Sequence, residues 1–566
     1  MFRVINRELA DIYIKLNILT EDVINGEIES QQKAPERIDL SLLHKGIVNE
    51  EQNAQVYQEF FGIEALDIDK IGASDHIVRL VTQEFVEKHN ILPITLDSEG
   101  KVMIAIADPF DYTIFGKIKS ICKSYSKYSY RIVISTATKI QKIQSVIFSK
   151  ASTKDAIEQY EQNDELKALK QDLNIESNEI ANSPAVKLVE SIIKEGIAVS
   201  SSDIHIEPFE KIVKVRYRID GALYTSSSFD IEMYPAVSTR IKILGGINIA
   251  ERRIPQDGRI KYTLNGIKYD FRVSTLPTVY GERIVIRILD TKAFDFTRDK
   301  LGFFEEENSK IDRMIHLPYG IVLLTGPTGC GKSTTLYSFV RELTGKELNI
   351  ITVEDPVEYT IEGVNQVQVN TKANLTFASA LRSILRQDPN VIMIGEIRDE
   401  ETAEIAIRSA ITGHLVFSTL HTNDAPGAVT RLVDMGVQPY FVSDALSGVI
   451  AQRLVRKLCP HCKKPHETNE KEMKVLKLKK PVTIYEPCGC PACNNTGYKG
   501  RVGIHEMLVV DEEMKVLIQS GGTTEQIRAL AKKNGMLSLS DTCKRVVLNG
   551  ETSIHEYNDV IFENDD

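Results

Sequence analysis

The residues with the clearest chemical purpose in this 566-residue chain are Gly326, Pro327, Thr328, Gly329, Cys330, Gly331, Lys332, Ser333 and Thr334. They spell Gly-x4-Gly-Lys-Ser between an apolar run, GIVLLT, and a helical run, STTLYSFVREL. Glycines in this pattern let the backbone wrap phosphates with its N–H groups, the lysine neutralises β and γ oxygens, and the serine hydroxyl ligates Mg²⁺. Lys332 and Ser333 occupy those two places. Average residue frequencies give such a pattern by chance in roughly one chain in fifty of this length, and the strand-then-helix flanks make chance rarer still. Cys330 adds a thiol at a helix N-terminus, a position expected to favour thiolate.

Three further groups can act on a bound phosphate. The run VIMIGE ends at Glu396, where many P-loop enzymes place an acid near Mg²⁺, although Gly395 stands where an Asp often precedes it. The run TVEDPVEY sets Glu354, Asp355 and Glu358 at the end of another apolar run, the end at which open α/β sheets bind ligands. One of these carboxylates can polarise water, and spacing does not choose among them. His414 and His421 flank a strand in GHLVFSTLHTND and point to opposite sides of it or lie beyond its ends.

Two Cys-x2-Cys pairs, Cys459 with Cys462 and Cys490 with Cys493, are separated by 27 residues. Each has the spacing of a thiolate knuckle, and together they can close a structural Zn²⁺ site; a redox pair is the alternative. Cys488 and His461 are spare ligands. Arginines gather earlier, at Arg216, Arg218, Arg240, Arg252, Arg253, Arg259, Arg272, Arg283 and Arg287. Most suit surface ion pairs, but a few can reach ATP phosphates across an interface, because a planar, permanently charged fork fits the γ-phosphate.

The elements that must position these groups read as several domains, since the chain is too long for one core. LADIYIKLNILTEDV (9–23) and IDLSLLHKGIVNEEQ (38–52) form a weak repeat, each copy a helix, a turn at Asn17 or Gly46, and a second helix. Residues 91–106 alternate as two strands around Glu99-Gly100. Residues 151–182 are polar and read as a linker. Ser183-Pro184 then starts a helix that opens a small α+β domain with strands at KVRYRI and GERIVIRIL. From about residue 300, short apolar strands alternate with helices, which implies a parallel α/β sheet, and the last sixty residues read as helices packed on its outside.

Composition narrows the class. With 42% hydrophobic and 26% charged residues and a mean hydropathy of −0.16, the chain is an ordinary globular one. A net charge of −10 disfavours broad nucleic-acid binding and therefore a DNA-translocating motor. The charged N-terminus lacks a signal-peptide core and no apolar run approaches about 20 residues, so a cytoplasmic protein is expected.

Taken in order, SDIHIEP (202–208), VRYRIDG (215–221), PTVYGERIVIRIL (277–289), the phosphate loop, ITVEDPVEY, LRQDPNVIMIGEIRD and GHLVFSTLHTND resemble the secretion ATPase superfamily, from about Ser183 to Gly503. The double Cys-x2-Cys insert followed by GYKGRVGIHE (497–506) resembles its type II secretion and type IV pilus-extension branch, since retraction-type ATPases lack that insert. The resemblance implies an α/β fold with an N-terminal docking or regulatory domain over 1–150, a linker over 151–182, a middle α+β, PAS-like domain over 183–296, and a RecA-like ATPase domain over 297–566. The last of these would carry a zinc-binding insert at about 459–500 and the C-terminal helices. It further implies a homohexamer with ATP between the middle and C-terminal domains and ATP, Mg²⁺ and Zn²⁺ as cofactors. Arg216, Arg218, Arg283 and Arg287 would reach the nucleotide, Glu358 would activate water, His421 would sense the γ-phosphate and Glu396 would be the Mg²⁺-associated acid.

The expected partners are an inner-membrane platform protein and a cytoplasmic docking protein of a pilus or secretion machine, with membrane association through them and no nucleic acid. A regulatory scaffold that binds nucleotide without rapid turnover is the rival. The N-terminal repeat resembles the cyclic-di-GMP-binding module of some of these ATPases, but its Arg-Leu-Gly start reads Glu8-Leu9-Ala10 and Arg37-Ile38-Asp39, which favours docking to a protein.

Overall fold

Two helical pairs open the chain: α1 (Phe2–Lys15) with α2 (Glu21–Ser30), then α3 (Ile38–His44) with α4 (Glu50–Phe61). The repeat extends to single bonds. Ile18 and Leu19 both donate N–H to the Tyr13 carbonyl, and Ile47 and Val48 both donate to that of Leu42. Each first helix ends in a left-handed turn, at Asn17 (φ 54°) and Gly46 (φ 69°), residue types that tolerate this conformation. Arg37 of the second copy is committed within the fold, donating to Asp39 at 2.6 Å and to Asp108 at 2.9 Å, with its guanidinium 4.3 Å from the Phe110 ring.

The computed structural model describes residues 2–30, 36–111, 113, 116, 118, 129–148, 184–264, 266–290, 297–345 and 347–564. The expected linker, 151–182, lies outside them. The chain divides into two units, Met1–Leu289 with Cys490–Asn495, and Asp290–Gly489 with Thr496–Asp566. No helix among the described residues is long and apolar enough to cross a membrane.

In the first unit, β1 (Ile91–Leu96), β2 (Val102–Ile106) and β3 (Tyr130–Ile134) form a small sheet. The alternation expected for 91–106 is absent, because β2 is the central strand and is buried throughout. Leu92, Ile94, Met103 and Ala105 fill one core, and Ile91, Val102, Ile104 and Ile106 fill another. A strand covered on both faces needs apolar residues at every position.

Helix α5 (Pro184–Ala198) then packs on a six-stranded sheet, in the order β6-β5-β4-β9-β8-β7. Its strands are β4 (Asp203–Pro208), β5 (Ile212–Ile219), β6 (Ala222–Asp230), β7 (Gln256–Leu264), β8 (Ile267–Thr278) and β9 (Gly281–Asp290). Asp220 (φ 49°) and Gly221 (φ 90°) make the tight turn between β5 and β6. Ile204, Ile206, Val213, Val215, Tyr217, Ile284 and Ile286 pack with Leu188, Val189, Ile192 and Ile193 of α5. Alternation sends Asp203, His205 and Glu207 to the opposite face.

The second unit holds a seven-stranded sheet in the order β12-β11-β13-β14-β10-β15-β18. Its members are β10 (Gly320–Thr325), β11 (Ile350–Glu354), β12 (Asn365–Gln368), β13 (Val391–Ile394), β14 (Leu415–Leu420), β15 (Leu446–Leu458) and β18 (Tyr498–Val509); β16 (Lys464–Glu467) and β17 (Thr483–Glu486) pair separately. All pairings through β15 are parallel, and only β18 runs antiparallel, against β15. Every residue of β10, β13 and β14 is buried, the signature of strands covered on both faces. The run RVGIHEMLVV is the body of β18, and the helices after it turn Met514, Ile518, Ile527, Leu539, Val546 and Val547 into the main core.

Candidate nucleotide site and cysteine cluster

Parallel strands place all their carboxyl ends on one edge, so chain segments remote in sequence meet there. At that edge β10 leads into the glycine loop, β11 ends in Glu354, β13 is followed by Gly395 and Glu396, and β14 is followed by His421. His414 precedes β14, at the opposite edge, where its Nδ1 lies 2.9 Å from the Ser409 carbonyl; it is structural.

The loop is built for close approach. Gly326 (φ 144°) and Gly331 (φ 90°) have no room for a side chain: a Cβ at Gly326 would lie 2.5 Å from the Gln452 carbonyl, and one at Gly331 would lie 2.9 Å from Gln452 Nε2. Pro327, Thr328, Gly329 and Ser333 are exposed and Thr334 is half-buried, so the crown of the loop and the hydroxyl that would meet Mg²⁺ face outward. Lys332 differs from the solvated lysine of an exposed loop: it is buried, and its Nζ donates to the carbonyls of Gly326 at 2.6 Å and Pro327 at 3.0 Å. Burial lowers its pKa, opposed by the fields of Cys330 and Glu396.

Cys330 corrects an expectation. The thiol is buried, and desolvation raises its pKa despite the nearby Lys332 and Arg453. Charging it in that setting costs more than the helix terminus returns, so it is a thiol that packs against Gly326.

Three residues absent from the sequence reading hold the site together. Gln452, on β15, donates to the Cys330 carbonyl at 2.8 Å and accepts from Thr335 Oγ1 at 2.8 Å, clamping the loop to the first turn of helix α6 (Lys332–Leu343). Arg453 donates to the Asn423 carbonyl at 2.9 Å. Tyr337, on α6, donates to the Glu354 carboxylate and accepts the Glu358 N–H at 3.2 Å.

The carboxylates now separate. Glu354 is 4% exposed and accepts from Tyr337, Thr352 and Gln366, which leaves it no reach toward a substrate water. Glu396 contacts Arg398 at 2.5 Å and His421 Nε2 at 3.3 Å. Burial works to raise its pKa, but Arg398 and His421 outweigh that and hold it below the usual carboxylate range. A carboxylate so stabilised is a poor base and a good partner for a cation. Glu358 is half-buried on the loop beyond β11. The Thr325 hydroxyl accepts the Thr422 N–H at 2.9 Å, which ties the His421 loop to the strand that carries the phosphate loop.

In the first unit, Arg216 and Arg283 both reach Glu207 at 2.8 Å, Arg287 reaches Asp203 at 2.9 Å and Arg218 lies 3.7 Å from it. The four guanidinium groups thus share two carboxylates on β4.

Cys459, Cys462, Cys490 and Cys493 place their sulfurs within 4.8 Å of one another. The Cys490 and Cys493 sulfurs are 3.7 Å apart, against about 3.8 Å for two thiolates on one tetrahedral zinc with Zn–S bonds of about 2.3 Å. Cys488 is exposed and outside this group. The donor set fits a structural zinc.

Residues 178–559 match the family model described as Type II/IV secretion system protein, and residues 61–154 match the MshEN domain. The type IV pilus assembly ATPase PilB of Myxococcus xanthus is 38% identical over 571 residues, covering 97% of this chain and 98% of that protein. The type II secretion system ATPase E of Vibrio cholerae is 50% identical over 341 residues, 60% of this chain and 68% of that protein. The X-ray structure of the ATPase DotB from Legionella pneumophila shares the fold at a TM-score of 0.51 and 22% identity, covering 66% of this chain and 95% of that one. A glycine loop with Glu396 and His421 at one edge of a parallel sheet, inside a match this long, places the chain: it belongs to the type II/IV secretion system protein family, as one of its secretion ATPases.

Proposed function

We propose that this chain is an ATP-driven assembly motor, a cytoplasmic homohexamer that powers type IV pilus assembly or type II secretion through an inner-membrane platform protein and a cytoplasmic docking protein. The observation that supports it most is the convergence of the phosphate loop, Glu396 and His421 on one edge of the seven-stranded sheet. In this reading residues 326–334 cradle the phosphates, Ser333 and Glu396 act at Mg²⁺, and His421 reports the γ-phosphate to Glu396. Glu358 activates the attacking water. Arg216, Arg218, Arg283 and Arg287 bring positive charge to the nucleotide, a task suited to groups that never deprotonate. Zn²⁺ on the four cysteines holds the insert.

Purified full-length protein should hydrolyse ATP only with Mg²⁺, and its specific activity should rise with protein concentration as rings of about six subunits form. A monomer in light scattering at saturating ATP, with activity independent of concentration, would overturn the motor. Elemental analysis should find about one zinc per subunit. Replacing Cys459 and Cys490 together by Ser should release it and loosen the insert while nucleotide binding survives. Protein purified without chelator that contains no metal would refute the zinc assignment.

A further inference from the structure

Beneath the four arginines lies a residue that no nucleotide role has yet engaged. Asp203, His205 and Glu207 alternate on one face of β4 and are 5%, 7% and 6% exposed. Register places Asp203 opposite Arg218 of β5 and Arg287 of β9, and His205 opposite Arg216. Arg283 Nη2 lies 3.3 Å from His205 Nδ1 as well as 2.8 Å from Glu207. A guanidinium is only a donor, so Nδ1 is the acceptor and the proton of the neutral ring sits on Nε2.

Three buried N–H groups in this cluster lack a partner: His205 Nε2, Arg216 Nε and Arg283 Nε. Buried donors are rarely left unmade. Four guanidinium groups against two carboxylates also leave the face positive. The excess positive charge suits an oxyanion, and the buried nitrogens mark the packed interior behind that face.

We propose that His205 is the positioning residue of this arginine face: its Nδ1 accepts from Arg283 and holds that guanidinium in place for a phosphoryl oxygen of the nucleotide. The proposal rests on the reading that these arginines serve ATP, and it adds an acid sensitivity. A protonated ring loses the acceptor on Nδ1 and places a fifth positive charge among Arg216 and Arg218 of β5 and Arg283 and Arg287 of β9. Lys214 of β5, paired in register with Glu207, lies near the same face with its Nζ 5.1 Å from the Phe209 ring. Asp203 and Glu207 favour the protonated ring, but burial is the larger influence and lowers its pKa. Arg283 is therefore held above the ordinary histidine range and released below it.

The test is ATP turnover by the full-length protein from about pH 4.5 to about pH 8.5, reaching below the histidine range. His205→Leu removes both nitrogens and keeps an apolar body, and His205→Asn keeps an acceptor near the Nδ1 position without a titrating proton. His205→Leu should lower kcat about 10- to 100-fold with KM for ATP within about threefold, the scale of a misplaced rather than missing group. His205→Asn should recover kcat to within about threefold and lose the acid limb of the wild-type profile. Equal losses in both variants, or wild-type rate and profile in both, would overturn the proposal. Arg283→Gln separates the premise from the inference. If it depresses turnover while both His205 variants are normal, only the positioning role fails; if Arg283→Gln is itself normal, the arginine reading fails and the proposal with it.

Discussion

Lys332→Ala is expected to lower ATP hydrolysis by about 10³-fold or more while leaving the chain folded. The Lys332 ammonium spends two of its three N–H bonds on the Gly326 and Pro327 carbonyls, so it braces the loop from inside and keeps one donor in reserve. Phosphate binding draws those donors to β and γ oxygens, where the charge is worth most in a water-poor site. Alanine removes the charge and both braces. The lost braces cost about 1–3 kcal/mol, set against a typical stability of about 5–15 kcal/mol for a domain, so unfolding is not the expected cause of inactivity. Lys332→Gln discriminates between the two effects, since it keeps a donor for the carbonyls and lacks the charge. It should be as inactive as the alanine variant. Turnover by Lys332→Ala at the normal rate in saturating ATP would sink the assignment of the loop, and rescue by Lys332→Gln would reduce Lys332 to a brace.

What was legible in the chain was whatever is local. Gly326 to Thr334 carry their own mechanism in consecutive positions, and buried parallel strands announce themselves as short apolar runs, as in VIMI of β13. Residues whose role comes from a distant partner were silent. Gln452 clamps a loop 122 positions away, and Tyr337 meets Glu354 and Glu358 only because α6 and β11 pack together. Neither residue type marks a function by itself. Strand β15, the clamp's platform, was missed because IAQRLVRK breaks its apolar run with polar residues that the fold buries, Gln452 at 2% and Arg453 at 4% exposed. Cys330 misled for the opposite reason. A helix terminus is visible in sequence, whereas the burial that overrides it is not. The arginines are legible as a cluster, but their sharing of Asp203 and Glu207 depends on the order β5-β4-β9, which sets β9 beside β4 although the paired residues Arg283–Glu207 and Arg287–Asp203 are 76 and 84 positions apart.

That same gap between local and distant signals is what leaves Glu358 as the base to test. Glu354 ends β11 but is saturated by Tyr337, Thr352 and Gln366, and Glu396 is held ionised by Arg398 and His421. The Glu358 backbone is fixed to Tyr337, a residue on the helix that carries Lys332 and Ser333, so the loop's position is tied to the phosphate cradle. Glu358→Gln keeps size and hydrogen-bonding reach and removes basicity. Turnover should fall about 10²–10⁴-fold, with ATP affinity unchanged and the protein stalled with nucleotide bound. Tyr337→Phe removes the tether and leaves the carboxylate, so it should lower kcat by a smaller factor, about tenfold, while a double variant with Glu358→Gln should lose little beyond the Glu358 change alone. Single-turnover hydrolysis measured beside nucleotide affinity decides the matter. Near-normal chemistry in Glu358→Gln would falsify the assignment, and a Tyr337→Phe loss that multiplies fully with that of Glu358→Gln would show that the tyrosine acts on something other than this loop.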